Sequence, residues 1–325
     1  MFHRSKNQVS TRITVKDLAR LCGVSIGTVD RAINNRGGIN PETKKKILDT
    51  AAEYGFVKNL NAISLSLGKP NLIGVIITNL KTEFLTTLLT AIESEASARG
   101  YSTLIMLSNY SAESERECAE RMRSMNIAGL IVFPVISDPG YYLNIERTGI
   151  PVVTVGNRIE GIPFVGIDDF GAMKRGTEFV LSRGYRRLYY VAPLLEKAGR
   201  QNISAQTMRR DGFLAAASGV EYLLVDNYGA YDELLSSLQS GLLGSDEKRT
   251  ALICPSDAYT IDCLPFVGDR VGIMGFDRLP MIGRLIPELA GIVYPTADIG
   301  KAAVASLLGE PAKIFPFELF PGETV

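Results

Sequence analysis

The stretch Ile13–Asn35, ITVKDLARLCGVSIGTVDRAINN, decides how the rest of the chain is read. Thr14 and Asp17 stand three residues apart in a capping-box arrangement, with a hydroxyl for an orphan amide and an acid in the first helical turn. Val15, Leu18, Ala19 and Leu21 follow at helical spacing, and Gly23 offers a stop. Ser25 then caps a second helix whose apolar positions are Val29, Ala32 and Ile33. Asn40-Pro41-Glu42 starts a third helix with a capping Asn, proline at the first helical position and an acid behind it, and Ile47, Leu48 and Ala51 form its apolar face. Two short helices about a glycine turn, backed by a third, make a helix-turn-helix with a defined docking geometry on DNA. The same pattern suits a plain helical bundle with a solvated Lys44-Lys45-Lys46 run.

Charge separates these readings. The 325 residues carry 35 Lys or Arg and 35 Asp or Glu, so the whole chain is neutral. Residues 1–59 hold 11 basic and 5 acidic side chains, against 24 and 30 in the remainder. A basic head on an acidic body is the asymmetry of a nucleic-acid module joined to another function. Cys22, Cys118, Cys254 and Cys263 form no Cys-x-x-Cys pair and His3 is the only histidine, which argues against a zinc site, any other metal centre or a His-based triad. No apolar run suits a signal peptide or a membrane span, so the expected compartment is the cytoplasm.

On a wheel at about 100° per residue, Val29, Ala32 and Ile33 define the inner face of the second helix. Gly27, Arg31 and Asn34 then point most nearly outward, with Ile26 and Asp30 on one flank, so the side chains facing DNA are Ile26, Gly27 and Arg31, with Asn34 further along. Arg31 is placed to donate twice to a guanine edge, Ile26 to touch a thymine methyl, and Gly27 to admit close backbone approach. Asp30 lies on the flank, where it can favour the helix N-terminal half, orient Arg31 or another basic group, or accept from a cytosine amino group.

From Leu72 onward, strand-like runs alternate with amphipathic helical stretches: 72–78, 102–108, 129–133, 151–155, 188–192, 222–225, 250–254 and 271–276 read as strands, with helices near 84–99, 112–125, 169–183, 205–219 and 297–308. The expected fold class is therefore α/β, with parallel sheets in two lobes of about 120 residues each. Ligands in such folds collect at the carboxyl ends of strands, which directs attention to Thr82-Glu83-Phe84, Asn157-Arg158, Asp168-Asp169, Ser256-Asp257, Phe276-Asp277 and Arg209. An enzyme acting on a small carbohydrate, or a sugar-binding α/β protein without DNA function, would use the same kinds of residues. The body has no Gly-x-Gly-x-x-Gly after a strand, Walker loop, Gly-x-Ser-x-Gly elbow or cleft histidine, so catalysis and cofactors are not expected.

Ile13–Asn35, followed by INPETKKKILDTAAEYGFVKN and NAISLSLGKPNLIGVI, resembles the head of the LacI/GalR family of bacterial transcription regulators. The resemblance implies an N-terminal three-helix DNA-binding domain over 1–58, a hinge helix over 59–70 and a two-lobed, periplasmic-binding-protein-like effector and dimerisation domain over 71–325. It implies DNA contacts from Thr14, Ser25, Ile26, Gly27, Thr28, Arg31 and Asn34. In the hinge it implies Asn59 and Ala62 at the motif positions and Leu65 as a minor-groove wedge. The expected partners are a palindromic operator duplex, a second copy of the chain and a sugar-like effector. Phe84, Asn157, Arg158, Arg209, Asp257 and Asp277 match the family's effector positions. Departures are Lys58 where the family usually has proline, Asn157 where aspartate is frequent, Asp169 where asparagine is common, a short segment between Asp257 and Gly275 containing Pro265, and an abbreviated stretch after Gly212-Phe213. The ending PFELFPGETV has no leucine heptads, so a dimer is expected rather than a tetramer.

Overall fold

A computed structural model describes residues 13–56, 70–243, 249–267 and 271–325. Asn59, Ala62 and Leu65 of the expected hinge, with Lys58, lie outside the described residues. The described residues fall into two compact units, divided after the third helix.

In the first unit, α1 (Val15–Cys22) starts at Thr14, whose hydroxyl accepts from the Asp17 amide while the Asp17 carboxylate accepts from the Thr14 amide, and it ends at Gly23 with φ 69°. That left-handed conformation suits glycine and turns the chain into the next helix. Ser25 caps α2 (Ile26–Ile33) through the Thr28 amide, and Asn40 caps α3 (Pro41–Glu53) through the Glu42 amide. Leu18, Ala19, Cys22, Val29, Ala32 and Ile47 are buried together. Each helix is too short to persist alone, so this shared core holds all three.

The second unit contains two six-stranded sheets. The first takes β1 (Leu72–Ile77), β2 (Ser102–Leu107), β3 (Gly129–Val132), β4 (Val152–Val155), β5 (Phe164–Ile167) and β11 (Ile314–Phe315), in the order β11-β5-β4-β3-β1-β2. The second takes β6 (Arg187–Val191), β7 (Glu221–Val225), β8 (Thr250–Ile253), β9 (Val271–Asp277), β10 (Ala290–Val293) and β12 (Glu318–Phe320), in the order β12-β10-β9-β8-β6-β7. β12 runs antiparallel to β10, whereas the other described pairs are parallel. Covered faces explain the continuous apolar runs: every residue of β8 and β9 is buried.

The intervening helices are α4 (Glu83–Ala98), α5 (Ala112–Ser124), α6 (Pro139–Arg147), α7 (Asp169–Ser182), α8 (Ser204–Ala216), α9 (Tyr228–Gln239), α10 (Asp257–Cys263), α11 (Pro280–Leu285) and α12 (Thr296–Leu307). Within Asp257–Gly275, α10 stops at Cys263 and a 3₁₀ turn at Leu264–Phe266 carries Pro265. The chain crosses between lobes between β5 and α7, between β10 and α12, and between β11 and β12. α7 and α8 touch backbone to backbone, because a Cβ on Gly212 would lie 2.2 Å from the Phe170 carbonyl oxygen. This approach brings Arg209, one turn before Gly212, onto Asp169, the first residue after the first crossover.

Candidate functional site

The outer surface of α2 is built by what its inner surface buries. With Val29 and Ala32 inside, Ile26 stands 50% exposed and Gly27 and Arg31 are exposed beside it. A large apolar side chain held in water at the start of a helix suits an apolar feature of a partner, such as a thymine methyl. The Arg31 guanidinium has no hydrogen-bond or ion-pair partner among the described residues, leaving its donor fork open. Asp30 instead grips its own neighbourhood: its carboxylate accepts from Asn34 Nδ2 at 2.6 Å and from Arg36 Nη1 at 3.1 Å. Thus Asp30 orients Arg36 rather than Arg31. Asn34, expected to face outward, is half-buried, ends α2 and has its amide engaged by Asp30. The hydroxyls of Thr14, Ser25 and Thr28 serve local structure: Thr14 donates to Asp17 at 2.6 Å, and Ser25 and Thr28 share a 2.9 Å hydrogen bond.

In the second unit, strand ends from both lobes enclose a cavity of about 290 Å³. Its aromatic walls include Phe84, Tyr110, Phe133, Tyr259 and Tyr294, while Arg209, Asp257 and Asp277 bring charge to it. Phe84 meets Phe133 and Tyr294 edge-on, with ring centroids 6.5 and 6.4 Å apart. These rings offer apolar faces of the kind that take a sugar's C–H surface.

Arg209 is buried and heavily committed. Nε donates to Asp169 Oδ1 at 2.8 Å and Nη1 to the Pro255 carbonyl at 2.5 Å, Nη1 lies 3.7 Å from Asp277 Oδ1, and the guanidinium stacks 3.7 Å above Phe276. Burial pushes the Asp169 carboxyl above its usual range, with the Arg209 charge and hydrogen bond opposing that rise. Asp277 has φ 87° and accepts from the Tyr294 hydroxyl at 2.5 Å. A non-glycine residue in this region carries strain of about 1–3 kcal/mol, here placed at the cavity wall. Asp257 accepts from the backbone amides of Arg278 at 3.1 Å and Leu279 at 3.0 Å. Burial, followed by repulsion from Asp277, pushes its carboxyl up to about 8.

Phe84, Asn157, Arg209, Asp257 and Asp277 all line the cavity. Asn157 does so as a strut: Nδ2 donates to the Pro134 and Asn202 carbonyls and Oδ1 accepts from the Ala205 amide. Arg158 is not among the residues that line the cavity. Its Nη2 donates to the Ile167 carbonyl at 2.8 Å and its guanidinium lies 4.3 Å from the Phe164 ring centre. The site residues that sequence reasoning missed are Tyr110, Phe133, Gln206, Tyr259 and Tyr294. Phe133 closes the apolar run 129–133 and was open to notice; Tyr294 follows the four-residue strand β10, outside the runs read as strands. Glu83, in a segment singled out but not assigned a role, accepts from the Met281 amide through both oxygens at 3.1 Å and joins the lobes at the cavity edge.

Residues 14–59 match the family model described as bacterial regulatory proteins, lacI family. Residues 71–224 match that of periplasmic binding proteins and sugar binding domain of LacI family. The chain is 26% identical over 305 residues to catabolite control protein A of Priestia megaterium, covering 91% of each chain. It is 29% identical over 313 residues to the HTH-type transcriptional regulator PtxS of Pseudomonas putida, covering 92% of this chain and 89% of that one. Among solved structures, the lac repressor dimer bound to operator and the anti-inducer ONPF superposes with a TM-score of 0.79 at 19% identity, over 97% of this chain and 99% of that one.

Proposed function

The chain belongs to the LacI family of bacterial regulatory proteins and is a DNA-binding transcription regulator, and from that premise we propose that a small polyol, bound in the interlobe cavity, controls its affinity for operator DNA. The observation that carries this reading is the aromatic-walled cavity of about 290 Å³, with hydrogen-bonding groups among its lining residues. A sugar has the matching surface, with apolar C–H faces and a rim of hydroxyls.

In this reading residues 1–58 hold the DNA, 59–70 form the linker, and 71–325 bind effector and pair with a second copy. Two heads then address a palindrome, as expected of a helix-turn-helix dimer. Ile26, Gly27 and Arg31 meet base edges, while Leu65 wedges into the minor groove beside Asn59 and Ala62. The protein represses transcription, works in the cytoplasm and has no catalytic role. The lac repressor, a dimer on its operator, supports the assembly by likeness. No described helix is long and apolar enough to cross a membrane.

The test selects an operator from a random duplex pool with the full chain, then measures its affinity across salt. Several phosphate contacts make log K fall with log salt at a slope of about −5 or steeper; a flat profile overturns the DNA mode. A thermal-shift screen of sugars and polyols tests the cavity. A ligand at 100 times its Kd stabilises the fold by about 2.7 kcal/mol, and an unchanged midpoint across the panel overturns the polyol reading.

A further inference from the structure

The cavity wall is uneven in its hydrogen-bonding capacity. Several of its side-chain donors are spent inside the protein: the Asn157 amide on the Pro134 and Asn202 carbonyls, the Asn202 amide on the Arg158 carbonyl, the Gln201 amide on the Tyr110 carbonyl, and the Tyr294 hydroxyl on Asp277. Arg209, the buried cation of the wall, is matched by Asp169 and Asp277. Arg158 gives Nη2 to the Ile167 carbonyl while its Nε is buried without a partner, and Lys81 sits exposed at the rim.

Acceptors remain open. Gln206 lines the cavity with a buried Oε1 that has no hydrogen-bond partner. Glu83 from one lobe and Asp257 from the other are both held by amides of the single segment 278–281, which brings the two carboxyl groups to one stretch of the cavity wall. Repulsion from Asp277 and Glu83 is among the main influences on Asp257. An entering carboxylate or phosphate would meet lone pairs and like charge, whereas hydroxyl and ammonium protons would find vacant acceptors.

Building on the polyol reading of this cavity, we propose that its effector is an amino polyol, several hydroxyls with one ammonium, whose charged nitrogen lies against Asp257 and Glu83, and that sugar acids and sugar phosphates are rejected. The aromatic rings take the carbon face, and the orphan oxygen of Gln206 takes a hydroxyl proton.

The experiment titrates the full chain by calorimetry with matched sets: D-glucosamine, D-glucose, D-gluconate and D-glucose 6-phosphate, and the corresponding galacto and manno compounds. In the responding epimer series the amino sugar binds about tenfold or more tighter than its parent, and the acid and phosphate bind more weakly than the parent. Asp257→Asn and Glu83→Gln each bring amino sugar and parent to similar affinity, whatever either change does to the parent's own binding. Tightest binding by the acid or phosphate, or equal binding of amino sugar and parent by the wild type, overturns the proposal and leaves the polyol reading standing. Silence from every compound, with thermal unfolding still cooperative, overturns the polyol reading together with this inference. A preference that survives both substitutions places the ammonium elsewhere and overturns the assignment to these carboxylates.

Discussion

Arg31 and Asp30 are adjacent on α2 yet differ in what their side chains can still do. Arg31 keeps a free guanidinium on the outer face; Asp30 has given both oxygens to Asn34 and Arg36. Arg31→Ala is therefore expected to weaken the selected operator by about 1–3 kcal/mol and flatten preference at one base position. Asp30→Ala should change affinity for all duplexes alike, by freeing Asn34 and Arg36, and binding to single-position operator variants separates the two effects. A switch of preferred base in Asp30→Ala would make Asp30 a base reader. The apolar period of α2 was enough to give these faces from the sequence. It was not enough to show that Asn34 folds back on Asp30, since a wheel fixes the direction of Cβ and leaves the terminal torsions free. Arg158 illustrates the same limit in the body: its position at a strand end is legible, while its preference for the Ile167 carbonyl and the Phe164 face depends on residues six and nine places away.

Elements set the site by how closely they approach. Gly212 lets α8 lie on α7, and Arg209 reaches Asp169 because of it; a Cβ there would also stand 3.0 Å from the Lys174 amide. Gly212→Ala must push the helices apart, costing about 1–3 kcal/mol by overpacking, and it should weaken effector binding as well as lower Tm. A second element-level device holds the wall from outside the cavity. Glu115 of α5, buried, accepts from the Val135 amide at 2.6 Å and from the Tyr142 hydroxyl, and Val135 lines the cavity. Burial raises its carboxyl from 4.5 to about 7, the hydrogen bonds from Tyr142 and Val135 opposing the rise. The folded state therefore holds this proton where the unfolded chain has lost it, and stability falls as pH rises from about 4.5 to 7, by up to about 3 kcal/mol. Glu115→Gln should flatten the dependence of Tm on pH across that window, as scanning calorimetry at pH 5 and pH 8 would reveal; an unchanged slope would assign it to other groups. Long elements such as α4 and β1 were plain in the sequence, because periods of 3.6 and near-continuous apolar runs repeat often enough to be seen. β5, β10, β11 and β12 have four residues or fewer and were not read, although β3, β4 and β8, also of four residues, were. α6 was missed although Asp138-Pro139 supplies its cap and first position.

At the scale of the whole molecule, the second unit is two parallel sheets joined where the chain crosses three times between lobes. The buried charges sit at two of those crossings: Asp169 follows the first, and Tyr294, bonded to Asp277, occupies the second. Arg209 spans both, since it contacts Asp169 and Asp277. A ligand that alters this group thus acts on the segments about which the lobes would turn, a mechanical route that no strand or helix pattern could disclose, because it depends on which distant ends converge. The regulatory reading requires such a route to couple effector and operator as a free energy. Coupling of about 1–3 kcal/mol changes operator affinity by roughly 5- to 150-fold at saturating effector, and saturating operator must change effector affinity by the same factor. Anisotropy titrations of the operator with and without effector give one factor, and calorimetric titrations of the effector with and without operator give the other. Equal factors different from one are the expected result. A tightly bound effector that leaves operator affinity unchanged in the first titration would show a cavity that holds a ligand without regulating the DNA-binding head.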